Sequence, residues 1–122
     1  MSKSILIIED EGPLRALYVQ ILESAGYKVD QAGDGDTGMD KIKNTQWDLL
    51  LLDIMLPGED GLRILKEIKN DPGLKKGPIV AITNLNSEYI VQEAFNFGVD
   101  GYLIKSQVTP DKIADEVKEF LK

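Results

Sequence analysis

The sequence predicts an open α/β domain, a parallel β-sheet with helices packed on both faces. Three observations predict it. Short apolar runs alternate with segments of helical periodicity along the whole chain, as repeated βα units require. One run, Leu49-Leu50-Leu51-Leu52, shows no polar alternation and reads as a central strand buried on both faces. Four of the five runs also end on a polar residue, at the carboxyl ends of the strands where open α/β folds place their ligands.

The elements follow in order. Strand 1 is expected over Ser4–Glu9. Helix 1 opens near Gly12-Pro13, because proline suits a first turn, and it stops at Gly26. Leu14, Leu17, Tyr18, Ile21 and Leu22 lie along it at helical spacing. Strand 2, Lys28–Ala32, is polar enough for a sheet edge, and helix 2 spans Asp36–Asn44 with Met39, Ile42 and Lys43 along it. Strand 3 is Leu49–Asp53, and Pro57-Gly58 with Asp60-Gly61 mark the loop that follows. Helix 3, Asp60–Asn70, has Leu62, Ile64, Leu65 and Ile68 as its apolar face. Strand 4 is Pro78–Thr83, helix 4 is Ser87–Phe97 capped by Gly98, and strand 5 is Gly101–Ile104. Helix 5 opens at Thr109-Pro110, a cap before a first-turn proline, and runs to Leu121 with Ile113, Val117, Phe120 and Leu121 inward. Residues 1–122 form one domain without a linker, repeat or low-complexity tract. The doubly wound, flavodoxin-like (βα)5 arrangement with strand order 2-1-3-4-5 puts strand 3 at the centre.

Composition narrows the function. The apolar fraction of 43% and charged fraction of 29% are those of an ordinary globule, and no run approaches the ~20 apolar residues of a membrane span. Ile5–Ile8 is too short for the apolar core of a secretory signal. Cysteine is absent, which excludes disulfides and thiolate metal sites and fits a cytoplasmic location. Histidine is absent as well, removing the usual general base and the commonest transition-metal ligand. A net charge of −7 argues against nucleic acid or an anionic membrane as partner, and Lys75-Lys76 is too short for a basic patch.

The strand endings carry the chemistry. They are Glu9-Asp10, Asp53, Thr83 and Lys105. Taken alone, each has an ordinary explanation: a helix cap, a loop acid, a β-branched strand residue and a solvated lysine. With strands ~4.8 Å apart, however, Asp53 falls one spacing from Glu9-Asp10 and from Thr83, with Lys105 two spacings away. Three carboxylates so close repel one another, so one has a raised pKa unless a cation neutralises the group. An all-oxygen cluster suits Mg²⁺, which keeps waters and takes one or two carboxylates plus a phosphate oxygen. With Thr83 and Lys105 as donors facing the same spot, the set serves phosphoryl transfer to a carboxylate.

Ile8-Glu9-Asp10-Glu11, Leu52-Asp53 through Pro57-Gly58 to Asp60-Gly61, Ile82-Thr83 and Tyr102-Leu103-Ile104-Lys105 together resemble the motifs of the CheY-like response-regulator receiver domain. The resemblance covers the whole chain in order. It implies that Asp53 accepts a phosphoryl group from a histidine kinase or phosphotransfer protein. It implies that Glu9, Asp10, the Met55 carbonyl and an oxygen of Asp53 hold Mg²⁺. Thr83 and Lys105 would bind the phosphoryl oxygens, Tyr102 would turn inward as Thr83 moves, and the helix 4–strand 5–helix 5 face would carry the change to a protein partner. The chemistry would be self-catalysed transfer and hydrolysis, not that of an enzyme acting on a separate substrate.

Some residues depart from the pattern. Ser106 stands where such domains usually have a proline reached through a cis peptide. Either Lys105-Ser106 stays cis at a cost of about 2.5–4 kcal/mol, or the loop opens to trans and Lys105 is less firmly placed. Asn84 replaces a small residue after Thr83, and Met55 and Leu85 form a bulky apolar rim, so slow hydrolysis of the aspartyl phosphate is expected. Gly33-Asp34-Gly35-Asp36-Thr37-Gly38 matches the dinucleotide fingerprint literally. It follows the polar edge strand, and its aspartates would oppose a pyrophosphate, so a flexible turn into helix 2 is the better account. Trp47 is expected to cover the end of the core. The main alternative is a receiver-like interaction domain that works without phosphorylation. A haloacid-dehalogenase-type phosphatase would need a carboxylate at position 55, where this chain has Met55. No output domain follows helix 5, so the chain is either a stand-alone receiver or one cut from a longer protein.

Overall fold

A computed structural model describes residues 2–84 and 88–121, the side chains of residues 59 and 60 aside. Five parallel strands, β1 (Ser4–Ile8), β2 (Lys28–Ala32), β3 (Leu49–Asp53), β4 (Ile79–Thr83) and β5 (Gly101–Ile104), form one sheet in the order β2-β1-β3-β4-β5. The helices are α1 (Gly12–Ser24), α2 (Gly35–Asn44), α3 (Asp60–Asn70), α4 (Glu88–Asn96) and α5 (Ile113–Phe120). This is the doubly wound topology expected from the sequence, with the leucine strand in the middle.

The side-chain period of two divides the strands between two cores. Leu6, Ile8, Leu50, Leu52, Ile79 and Ala81 pack under α2, α3 and α4, against Ile42, Ile64, Leu65, Ile68 and Ala94. Ile5, Ile7, Leu49, Leu51, Val80 and Ile82 pack under α1 and α5, against Tyr18, Leu22, Ile113 and Val117. All five residues of β3 and all five of β4 are buried, which is why neither strand alternates in polarity. The edge strand β2 keeps its polar residues because only Ala32 is buried.

Boundaries shift where hydrogen bonding overrides composition. Glu9 lies one residue beyond β1 and Pro78 one before β4. Thr109 makes no side-chain cap; Pro110–Lys112 forms a 3₁₀ turn, and α5 proper starts at Ile113. The expected start of helix 4 at Ser87 lies outside the described residues. Leu17, at helical spacing with Tyr18, is exposed, whereas Tyr18 and Leu22 are fully buried.

Helix ends account for several polar residues. Asp34 caps α2: its Oδ1 accepts from Thr37 N at 2.8 Å, so the glycine-rich segment is an ordered cap and not a flexible turn. A Cβ at Gly38 would come within 2.6 Å of Ile8 Cδ1, so this glycine lets α2 pack closely on β1. The Lys76 ammonium donates to the carbonyls of Ile42, Lys43 and Thr45 at 2.8, 3.2 and 2.6 Å and closes the carboxyl end of α2. At the carboxyl end of α4, Lys69 donates to Asn96 O at 2.7 Å, and just beyond it Lys75 donates to Gly98 O at 3.3 Å. Among the described residues no helix is long and apolar enough to cross a membrane.

Candidate functional site

β3 delivers Asp53 to the carboxyl edge of the sheet at the end of four buried leucines, and the chain turns sharply straight afterwards. Asp53 Oδ1 accepts from Met55 N at 2.8 Å, which ties the Met55 peptide back to the carboxylate. Gly58 adopts φ +73°, a left-handed turn that non-glycine residues rarely take. A Cβ at Gly61 would overlap the Ile54 carbonyl, so glycine there lets α3 begin directly against the backbone that follows Asp53.

Glu9 follows β1, the neighbour of β3, and its side chain is fully buried. Asp10 beside it is exposed. Oxygens of Glu9, Asp10 and Asp53 lie within 4.8 Å of one another. Lys105, at the end of β5, reaches across this edge: its Nζ is 2.9 Å from Glu9 Oε1 and 3.1 Å from Asp53 Oδ2, and its side chain is only 8% exposed. Glu11, a residue sequence patterning gave no role, approaches the same ammonium at 3.6 Å.

Burial governs the titration here. It pushes Glu9 up to about 7, with the Asp53 charge adding to the rise and the Lys105 hydrogen bond offsetting part of it. Burial would lower Lys105, but its hydrogen bond to Glu9 and the charges of Asp53 and Glu9 outweigh this and hold the ammonium above the ordinary lysine range. Lys105 is therefore cationic at any working pH. Glu9 Oε2 is buried with no hydrogen-bond partner among the described residues. An orphaned buried oxygen on a carboxylate that resists ionisation, beside two more carboxylates, fits a hard divalent cation such as Mg²⁺.

The other expected residues fall around this centre. Thr83 ends β4, fully buried, and its carbonyl accepts from Lys105 N at 2.8 Å. Tyr102 is half-buried, and its hydroxyl pKa is raised by burial and by the charge of Asp53, which places the ring within the electrostatic reach of the cluster. Met55 is 49% exposed at the rim, Asn84 is exposed, and Leu85 lies outside the described residues.

Lys105-Ser106 is trans, yet Lys105 still points at Asp53. The expected conflict between a trans bond and a well-placed lysine does not arise. After β5 the loop closes as a turn in which Gln107 N and Val108 N both donate to Ile104 O, at 2.8 and 3.1 Å, and that turn fixes the lysine without proline. Trp47 covers the core as expected, donating from Nε1 to Ile42 O at 3.2 Å. It precedes β3, at the opposite edge of the sheet from Asp53.

Residues 5–118 match the model of the response regulator receiver domain family. The chain belongs to this family. It is 33% identical over 118 residues to the transcriptional regulatory protein ResD of Bacillus subtilis, covering 97% of this chain and 48% of ResD. It is 30% identical over 122 residues to the phosphate regulon transcriptional regulatory protein PhoB of Escherichia coli, covering 100% of this chain and 53% of PhoB. The chain thus spans about half the length of the curated relatives it matches. Among solved structures it resembles a CheY-like receiver domain protein of Methanospirillum hungatei, with TM-score 0.88 and 33% identity, covering 99% of this chain and 94% of that one. As a receiver domain it carries, where β1 and β3 end, a cluster of three carboxylates that could hold a metal ion.

Proposed function

We propose that Asp53 is the phosphoacceptor of this receiver and that a histidine kinase or phosphotransfer protein supplies the phosphoryl group. The observation that carries this is the placement of Lys105 and two further carboxylates around one strand-end aspartate. An oxygen of the Asp53 carboxylate attacks phosphorus, the bond from phosphorus to the donor nitrogen breaks, and the donor imidazole leaves with that electron pair. Glu9, Asp10, the Met55 carbonyl and Asp53 would hold Mg²⁺. That ion supplies charge neutralisation for the phosphoryl oxygens. Lys105 neutralises a second phosphoryl oxygen from its present position beside Asp53, and its bond to Glu9 keeps it there when the Asp53 oxygen becomes esterified. The Thr83 hydroxyl donates to a phosphoryl oxygen. Tyr102 follows its movement, since the two lie on adjacent strands with Ala81 paired to Tyr102 and Thr83 to Ile104.

The face made by α4, β5 and α5 passes the change to a downstream protein. The exposed aromatic rings of Tyr89 and Phe95 on α4, at 67% and 47% exposure, support a protein partner there. The test is incubation with acetyl phosphate and Mg²⁺, followed by intact mass. A gain of one phosphoryl group that needs Mg²⁺ and is lost in Asp53→Ala is expected. No gain in the parent would favour a receiver-like module that acts without phosphorylation, and an equal gain in Asp53→Ala would move the acceptor elsewhere.

A further inference from the structure

Arg15, on the first turns of α1, reaches back across the end of the sheet. Its Nη1 donates to the backbone carbonyl of Glu9 at 2.7 Å, and its Nε donates to Gln31 Oε1, on the neighbouring strand β2, at 3.0 Å. The guanidinium lies over Gly33: a Cβ at that position would come within 2.8 Å of Nη1. One side chain therefore joins three segments, α1, the end of β1 and the end of β2, at the peptide that links Glu9 to Asp10. The planar fork of arginine serves two acceptors in fixed directions, which a lysine cannot do.

We infer that Arg15 is a positioning residue for the Glu9–Asp10 pair. The inference rests on the proposed Mg²⁺ site. Glu9 lies beyond the last residue of β1, and although its own N–H still donates to Ala32 O at 3.1 Å, its carbonyl is held by Arg15. Fixing that carbonyl fixes the peptide plane from which the Asp10 side chain departs, and it limits the rotation open to Glu9. Groups that orient metal ligands from behind typically change affinity by 10–100-fold when lost.

The sign of the effect separates positioning from charge. Arg15 is a cation near a cation site, so on electrostatics alone its removal should strengthen Mg²⁺ binding. Positioning requires the reverse. The experiment is Mg²⁺ titration by calorimetry of the full chain as parent, Arg15→Ala and Arg15→Lys, with thermal unfolding of each in parallel. About tenfold weaker Mg²⁺ binding is expected in both variants, including Arg15→Lys, which keeps the positive charge, in protein that still unfolds cooperatively. Unchanged or tighter binding in Arg15→Ala, or parent-like binding in Arg15→Lys, would overturn the inference while leaving the metal site intact. A parent that binds no Mg²⁺ would overturn the site itself and the inference with it.

Discussion

Replacing Lys105 by methionine removes the one cation that joins two buried carboxylates while keeping nearly the same volume. In the parent, the Lys105 side chain is 8% exposed, Asp53 4% and Glu9 0%, so solvent can screen little of the interaction. Removing one partner from a buried ion pair typically costs about 3–5 kcal/mol, because the remaining charge stays desolvated and unpaired. Glu9, already pushed up to about 7, can take a proton and shed part of that cost, which favours the lower end of the range. At about 2.1 cal/mol/K per residue over 122 residues, the unfolding entropy is about 0.26 kcal/mol/K, so a loss of about 3 kcal/mol lowers the midpoint by about 12 °C. The assay is thermal and urea unfolding in the presence of a chelator at pH 8 and at pH 6. Lys105→Met should lose about 3 kcal/mol at pH 8 and clearly less at pH 6, and adding Glu9→Gln should recover much of the loss. A cost below about 1 kcal/mol at pH 8, or an equal cost at both pH values, would refute the claim that Lys105 compensates buried charge.

Three further outcomes follow from the same geometry. A carboxyl group raised from 4.5 to about 7 binds more protons in the folded than in the unfolded chain across that window, so its contribution to stability falls as pH rises through it. Metal-free Glu9→Gln should lose that decline, seen as a flatter midpoint-against-pH curve than the parent's, and a curve parallel to the parent's would contradict the raised Glu9 pKa. Lys76→Ala, which removes the donor that three carbonyls at the end of α2 share, should cost about 1–2 kcal/mol in urea unfolding, and a neutral result would show that water replaces the ammonium at no cost. The aspartyl phosphate should be long-lived, because Met55 offers attacking water no hydrogen bond. Met55→Asn combined with Leu85→Glu should shorten its lifetime in a mass-based decay assay, and an unchanged lifetime would remove the rim as the cause.

Much of the fold was legible because its centre is extreme. Leu49–Leu52 can satisfy burial on both faces only as an inner parallel strand, and the polar sequence of Lys28–Ala32 can only be an edge. The strand ends exposed the site for the same reason: Asp53, Thr83 and Lys105 stand where apolar runs stop. What stayed hidden depends on contacts far apart in sequence. Nothing local in Lys75-Lys76 says that these residues close the ends of distant helices, since their acceptors lie 23 to 34 residues away. Arg15 reads as an ordinary helix residue until its reach to Glu9 O and Gln31 is seen. Thr109-Pro110 carries the composition of a cap, but the 3₁₀ turn delays the helix to Ile113. At Ser106 the usual proline was a guide to one solution only, and the turn on Ile104 O supplies another.

The most direct test of Asp53 as the acceptor is to locate the modification chemically. Protein treated with acetyl phosphate and Mg²⁺ is reduced with borohydride, which converts an aspartyl phosphate to homoserine, and its peptides are then mapped by mass. Homoserine at position 53 and at no other aspartate is the expected result. Homoserine at Asp10 or another aspartate with Asp53 unchanged would contradict the account.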